Sequence, residues 1–224
     1  MDIRSSLTRQ RLIRAAEILM ARQGVAAVTT RDILNLAGQR NQSALHYHFG
    51  SKEGLIRSAL TDQMERIDGR RLNLLTKAGD GPAGILRAAL LPMAEDLLAS
   101  ERSHDQLSLL LQFLHTPPKH HSDECHYDRL LQQTRFPGIC GVRNMIWDTM
   151  PPMHHQLRMM RYGTAFSAAF TALLVWSEAG TKADPDEFAE ELTGTIHPIL
   201  YDRPDSANSF CWPRETDPHG KPQA

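Results

Sequence analysis

The tightest constraint on this chain lies between Thr29 and Lys52, where helix signals start, stop and start again in quick succession. Thr29 stands three residues before Asp32 and just ahead of Ile33, Leu34 and Leu36, the pattern of a capping box opening a short helix, which Ala37 and Gly38 end. A second short helix fits 41–48. The Gly50-Ser51 break then leads to a long helix over 52–77, with Ser51 as its N-cap. Upstream, Leu12, Ala16, Leu19 and Met20 recur at helical spacing within 6–23, and Gly24 stops that helix. The pair 29–37 and 41–48, joined by a tight glycine-containing turn, has the dimensions of a helix-turn-helix. No strand pattern and no internal repeat accompanies it, so the expected fold is all-α: an N-terminal three-helix helix-turn-helix domain joined by a long helix to a larger helical domain.

Gly79-Asp80-Gly81-Pro82 marks the clearest boundary in the chain. Beyond it, 85–100 and 107–116 read as helices, Pro117-Pro118 opens a polar loop, and weaker helical patterns cover 123–134 and 141–150. Pro151 and Pro152 suit the first turn of a helix running to about Glu178, and Asp184-Pro185 begins another to about Ile199. The composition from Asp202 onward predicts a mostly disordered tail, dispensable for folding. The expected division is thus 1–50, a connecting helix over 51–78, a helical domain over 79–201, and a tail over 202–224.

Of the 224 residues, 41% are hydrophobic, enough for a real core. The longest greasy run, Ala165 to Trp176, contains Ser167 and Thr171 and is too short to span a bilayer. The first residues lack the apolar stretch of a secretory signal, so a cytoplasmic location is expected. Cys125, Cys140 and Cys211 are odd in number and widely spaced, which argues for free thiols. Charge is segregated. Residues 1–66 carry ten Lys/Arg against six Asp/Glu, whereas the remainder carries fifteen against twenty. A basic end on an acidic chain suggests that the N-terminal part meets a polyanion.

Specific motifs sharpen this. The run Thr8-Arg9-Gln10-Arg11-Leu12-Ile13-Arg14-Ala15-Ala16, then Gly24, Thr29-Thr30-Arg31-Asp32-Ile33 and Ala37-Gly38, ends in Leu45-His46-Tyr47-His48-Phe49-Gly50-Ser51-Lys52-Glu53-Gly54-Leu55. Over about 6–60 this resembles the DNA-binding domain of the TetR family, and Tyr47 to Lys52 is its most diagnostic part. Between Gly38 and Tyr47 the chain is one residue longer than the commonest family pattern, and His46 stands where a tyrosine is usual. The resemblance implies a homodimeric, ligand-responsive transcriptional regulator, by default a repressor, that grips a palindromic operator in double-stranded DNA and is released by a small molecule. It also implies that the last two long helices, 152–178 and 185–199, form a four-helix bundle with a second copy. The apolar residues on them are Leu157, Phe166, Phe170, Leu173, Leu174, Phe188 and Leu192.

The side-chain chemistry fits that use. Arg40, Asn41, Gln42 and Ser43 offer donors and acceptors able to reach base edges in a major groove. His46 shares their helix. Thr30, Arg31, Tyr47, His48 and Lys52 are typed for phosphate contacts, which set register. The bland alternatives are that His48 caps or packs within the small domain and that Arg31 is a solubilising charge.

In the larger domain Leu90, Met93, Leu97, Leu110, Phe113, Leu114, Trp147, Met150, Phe166 and Phe170 are candidates to line a ligand pocket, although most such stripes are simply core. His115, His120, His121, Cys125 and His126 cluster around one loop. That raises the alternative of a metal-responsive regulator holding Zn²⁺ or Ni²⁺, but the spacing supplies at most half of a recognisable site, so no metal or other cofactor is expected. No Gly-rich phosphate loop, Gly-x-Ser-x-Gly elbow or His-Glu-x-x-His is present, and an enzyme is not expected.

Overall fold

A computed structural model describes residues 3–77, 81–115, 136–179 and 183–202. Every regular element among them is an α-helix: α1 (Ile3–Gln23), α2 (Thr30–Leu36), α3 (Ala44–Phe49), α4 (Lys52–Lys77), α5 (Pro82–Ala99), α6 (Glu101–His115), α7 (Pro137–Thr149), α8 (His155–Glu178) and α9 (Pro185–Tyr201). The fold is all-α, with the small helix-turn-helix unit at the N-terminal end and a larger helical assembly after it. The helix expected near 123–134 and the tail after Asp202 lie outside the described residues.

Each helix buries one stripe. α1 turns Leu12, Ile13, Ala16 and Met20 inward, α4 packs on α1, α3, α5, α6 and α7, and α5 is covered by α4, α7 and α9. α8 lies on α5, α6 and α9. The resulting apolar core is continuous from Leu12 to Leu200.

α6 opens at Glu101 rather than near 107, and three further helix starts shift for a physical reason. α3 begins at Ala44 rather than near Asn41, because the Asn41 side-chain carbonyl accepts the Ser43 N–H at 2.9 Å and its backbone carbonyl accepts that of Ala44 at 3.1 Å, closing a turn instead. α7 begins at Pro137, ahead of Gly141, because a distant carboxylate caps it: buried Asp68 of α4 accepts the N–H groups of Gly138 (2.9 Å) and Ile139 (2.7 Å). Pro151 and Pro152 stand before α8 instead of inside its first turn. A proline drives the residue before it into extended backbone, and Met150 accordingly sits at φ −61°, ψ 142° and ends α7. α8 opens after His154, whose Nδ1 accepts the Gln156 N–H at 3.3 Å.

The apolar residues of the last two helices divide into two groups. Phe166, Phe170, Leu173 and Leu192 are buried in the chain's own core, while Leu157, Leu174 and Phe188 are half-buried. The outer face of α8 instead presents Thr164, Ala168, Thr171 and Val175.

Candidate DNA-reading head

Local chemistry sets the ends of α2. Thr29 Oγ1 accepts the Asp32 N–H at 3.2 Å while an Asp32 carboxylate oxygen accepts the Thr29 N–H at 2.9 Å, so the box seen in the sequence is closed on both sides. The hydrogen bonds from Thr29 hold the Asp32 carboxyl below the ordinary aspartate range. At the other end Gly38, at φ +65°, lets its own N–H reach Asn35 and the Gln39 N–H reach Leu34, a Schellman closure that throws the chain back toward α3.

Behind α2 and α3 the packing is dry. Ile33, Leu34, Ala37, Ala44 and Leu45 are buried against Leu12, Ala16, Leu55 and Ala59. Ahead of them the candidate contacts line up in solvent: Thr30, Arg31, Arg40, Asn41, Gln42, Ser43, His46 and Tyr47 are all exposed, and His48 is half-buried beside Phe49. Tyr47 is 81% exposed, too open to be a packing residue. These residues are therefore open to contact from solvent.

Lys52 does not join them. Its ammonium donates to the carbonyl oxygens of Val25 and Val28, in the turn between α1 and α2, and is half-buried there. Desolvation there pushes its pKa below the usual lysine value. Gly54, passed over in the sequence, shapes the same junction. A Cβ at Gly54 would stand 2.1 Å from the Phe49 carbonyl oxygen, so only glycine allows α4 to start this close to the end of α3.

A second feature missed in the sequence ties the head to α6. Glu17 is fully buried and accepts from Arg102 Nε and an Arg102 terminal nitrogen, each at 2.8 Å, and from Gln106 Nε2 at 2.7 Å. Arg14 reaches Asp105 at 2.7 Å, Arg102 also faces Asp62, and Gln112 bridges the Met20 carbonyl and the Val25 N–H. The available signal was a charge on an apolar stripe, since Ile13, Glu17 and Met20 share one helical face.

Of the ligand-pocket candidates, Leu90, Met93, Leu97, Leu110, Met150, Phe166 and Phe170 are buried in the common core, Phe113 and Trp147 are half-buried, and the Leu114 side chain is outside the described residues. Trp147, Tyr162, Phe166 and Phe170 form a ladder of rings 4.7–6.1 Å apart. A groove of about 460 Å³ lies elsewhere, on α9, lined by Glu187, Glu190, Glu191, Gly194 and Thr195. His120, His121, Cys125 and His126 are outside the described residues, and among the described ones no group of three His, Cys, Asp or Glu side chains is placed to hold a metal. No helix among them is long and apolar enough to cross a membrane.

The head's sequence matches a known family. Residues 12–59 match the family model for bacterial regulatory proteins of the tetR family. Over these residues the chain is similar to the DNA-binding domain of that family. It is 33% identical over 98 residues to the HTH-type transcriptional regulator TtgR of Pseudomonas putida, a match covering 43% of this chain and 45% of that protein, and equally to ArpR of Pseudomonas putida. The chain thus spans a little under half the length of these curated relatives. Among solved structures, a tetR family transcription regulator from Shewanella sp. PV-4 aligns with a TM-score of 0.61 at 12% identity, covering 88% of this chain and 99% of that one. The fatty acid degradation regulator FadR of Bacillus halodurans aligns at 0.54 and 14%, covering 84% and 94%. At these identities the likeness is one of fold.

Proposed function

We propose that this chain is a ligand-responsive transcriptional regulator of the TetR type, in the first instance a repressor, whose homodimer binds a palindromic operator and lets go when a small molecule occupies the larger domain. The observation that carries the reading is the exposed polar row from Arg40 to Ser43 in the turn between α2 and α3, with His46 and Tyr47 beyond it on α3, held by helices that bury Ile33, Leu34, Ala44 and Leu45 in the core. A rigid head with its hydrogen-bonding groups in solvent is suited to a major groove, where Arg and Gln side chains discriminate base edges. Thr30 and Arg31, at the start of α2, are suited to phosphates.

Release requires two arrangements of the heads. Two copies read successive major grooves only when their α3 helices stand about 34–36 Å apart, so a ligand that favours another spacing depletes the binding state. The long helix α4 runs from the head into the core and, with α6, is suited to carry that change. Among the described residues no observation favours the metal-responsive alternative, whose His120, His121, Cys125 and His126 lie outside them.

The test is selection of a duplex from a randomised pool followed by gel-shift titration at fixed salt. The reading expects a palindromic sequence, and Gln42→Ala is expected to weaken binding by about 1–3 kcal/mol at one base position in each half-site and to relax preference there. Unselective binding, or affinity left intact by changing Arg40 and Gln42 together in a folded protein, would overturn it.

A further inference from the structure

We propose that Lys52 is a positioning residue: its ammonium fixes the turn between α1 and α2 and so sets the DNA-facing start of α2, rather than neutralising a phosphate itself. The proposal rests on the DNA-binding reading above. It begins from geometry. Two of the three ammonium N–H groups are directed at the Val25 and Val28 carbonyls, and a charge-assisted pair of this kind is expensive to give up, because leaving would orphan two acceptors at once. Val28 is itself buried, so no solvent replaces the donor on its side of the turn.

The turn is also gripped from the opposite side. Gln112 of α6 accepts the Val25 N–H at 2.8 Å and donates to the Met20 carbonyl at 3.0 Å. Lys52, in the first turn of α4, and Gln112, near the end of α6, thus clamp one short segment between them. That segment leads directly into Thr29, Thr30 and Arg31. Within the same turn of α4, the close approach that Gly54 permits seats the end of α3 on the same helix start. The first turn of α4 therefore sets α2 through Lys52 and α3 through Gly54, and any displacement of α4 reaches both reading helices together.

Charge and hydrogen-bond donation can be separated at this position. In a full chain carrying Cys125→Ser, Cys140→Ala and Cys211→Ser, Lys52→Cys is alkylated either to the aminoethyl thioether, which restores an ammonium with its donors, or to the trimethylammonium-ethyl form, which restores the charge without them. Without DNA, amides of 26–33 are expected to exchange several-fold faster in the free-thiol and trimethylammonium forms and to recover in the aminoethyl form, while α8 and α9 keep their protection. Unchanged exchange in all forms would overturn the proposal.

With a duplex selected by the unaltered protein, affinity should fall about tenfold or more in the free-thiol and trimethylammonium forms and return with aminoethylation. The slope of log affinity against log salt should stay constant, whereas loss of a phosphate contact would lower it by about 0.9. A lowered slope with rescue by trimethylammonium would overturn the proposal. Lys52→Gln, which keeps two N–H donors without charge, serves should the alkylated chains fold poorly. It should retain the slope, and a fall in slope would count against positioning. If the unaltered protein selects no duplex, the DNA-binding reading fails, and the exchange experiment still decides whether Lys52 holds the turn.

Discussion

Thr29 and Asp32 act on each other across three residues, so their contribution can be isolated by pH. Because the folded Asp32 pKa lies below the ordinary 3.8, its stabilisation is fully present above that value and disappears as pH falls through the lower folded one. Asp32→Asn should remove this acid-sensitive component, seen by following the amides of α2 between pH 5 and 2 by NMR at about 25 °C. An unchanged acid profile would show that the box closes without the charge. Thr29→Ala should lower the melting temperature by about 2–4 °C, the usual worth of an N-cap in a chain this long. At Gly54 the expected sign is set by space: Gly54→Ala places Cβ on the Phe49 carbonyl and should destabilise by about 1–3 kcal/mol in urea titration. Gly69→Ala, exposed in the same helix with nothing within 4 Å, should stabilise by about 0.5–1 kcal/mol. These cases also mark what was legible. The capping box could be read because both partners sit in one short stretch of sequence, whereas the occupations of Lys52 and Gly54 depend on atoms brought in from the preceding turn and helix.

Among the elements, α1, α2, α4 and α5 follow closely the apolar spacing and stop signals in the sequence, since each is specified by its own residues. α7 does not, because its first N–H groups are satisfied by Asp68, about seventy residues earlier, and no local pattern announces a cap supplied from another helix. The joint between α1 and α6 is of the same kind. Glu17 is buried, whereas the Arg102 side chain is 35% exposed, so the two ends of the pair respond differently to mutation. Arg102→Met leaves the buried carboxylate with only Gln106 and a longer contact to Arg14 and should cost on the order of 3 kcal/mol, while Glu17→Gln frees an arginine that can turn to water and should cost less. The double variant should cost less than the sum, because both changes break one contact. Additive losses in a urea-denaturation cycle would show that Gln106 and Arg14, not Arg102, carry the joint. The same network makes α6 a structural part of the head, so exchange protection in α1 and α6 should fall together in either variant.

At the scale of the whole molecule, the last two long helices were legible in order and length, but which of their residues stay outside the chain's own core was not. Helical spacing reports that Phe166, Phe170 and Leu173 are on an inward stripe without saying inward to what, and in the folded chain they are buried in its own core. What remains outside on α8 is Thr164, Ala168, Thr171 and Val175, spaced four, three and four apart along one line. Small residues in such a line let two helices approach closely, which suits a four-helix bundle better than a row of large side chains would. On the dimer we propose, the acidic groove of α9 limits how two copies could meet: Glu187, Glu190 and Glu191 from two chains cannot be buried against each other, so the proposed arrangement puts them at a wet rim and the α8 line at the centre. Ala168→Arg together with Val175→Glu should therefore break the dimer by placing charges at its middle, whereas Glu190→Gln at the rim should leave it intact. Light scattering at micromolar concentration should give twice the 25.2 kDa chain mass for the parent and rim variant and a single chain for the central one. Because α8 packs on α5, α6 and α9 rather than on the reading helices, the central variant should keep its fold by circular dichroism yet lose operator binding far more steeply than non-specific binding, since only the operator rewards two heads held in register. A parent that remains monomeric, or a central variant that remains dimeric, would move the partner surface off this line.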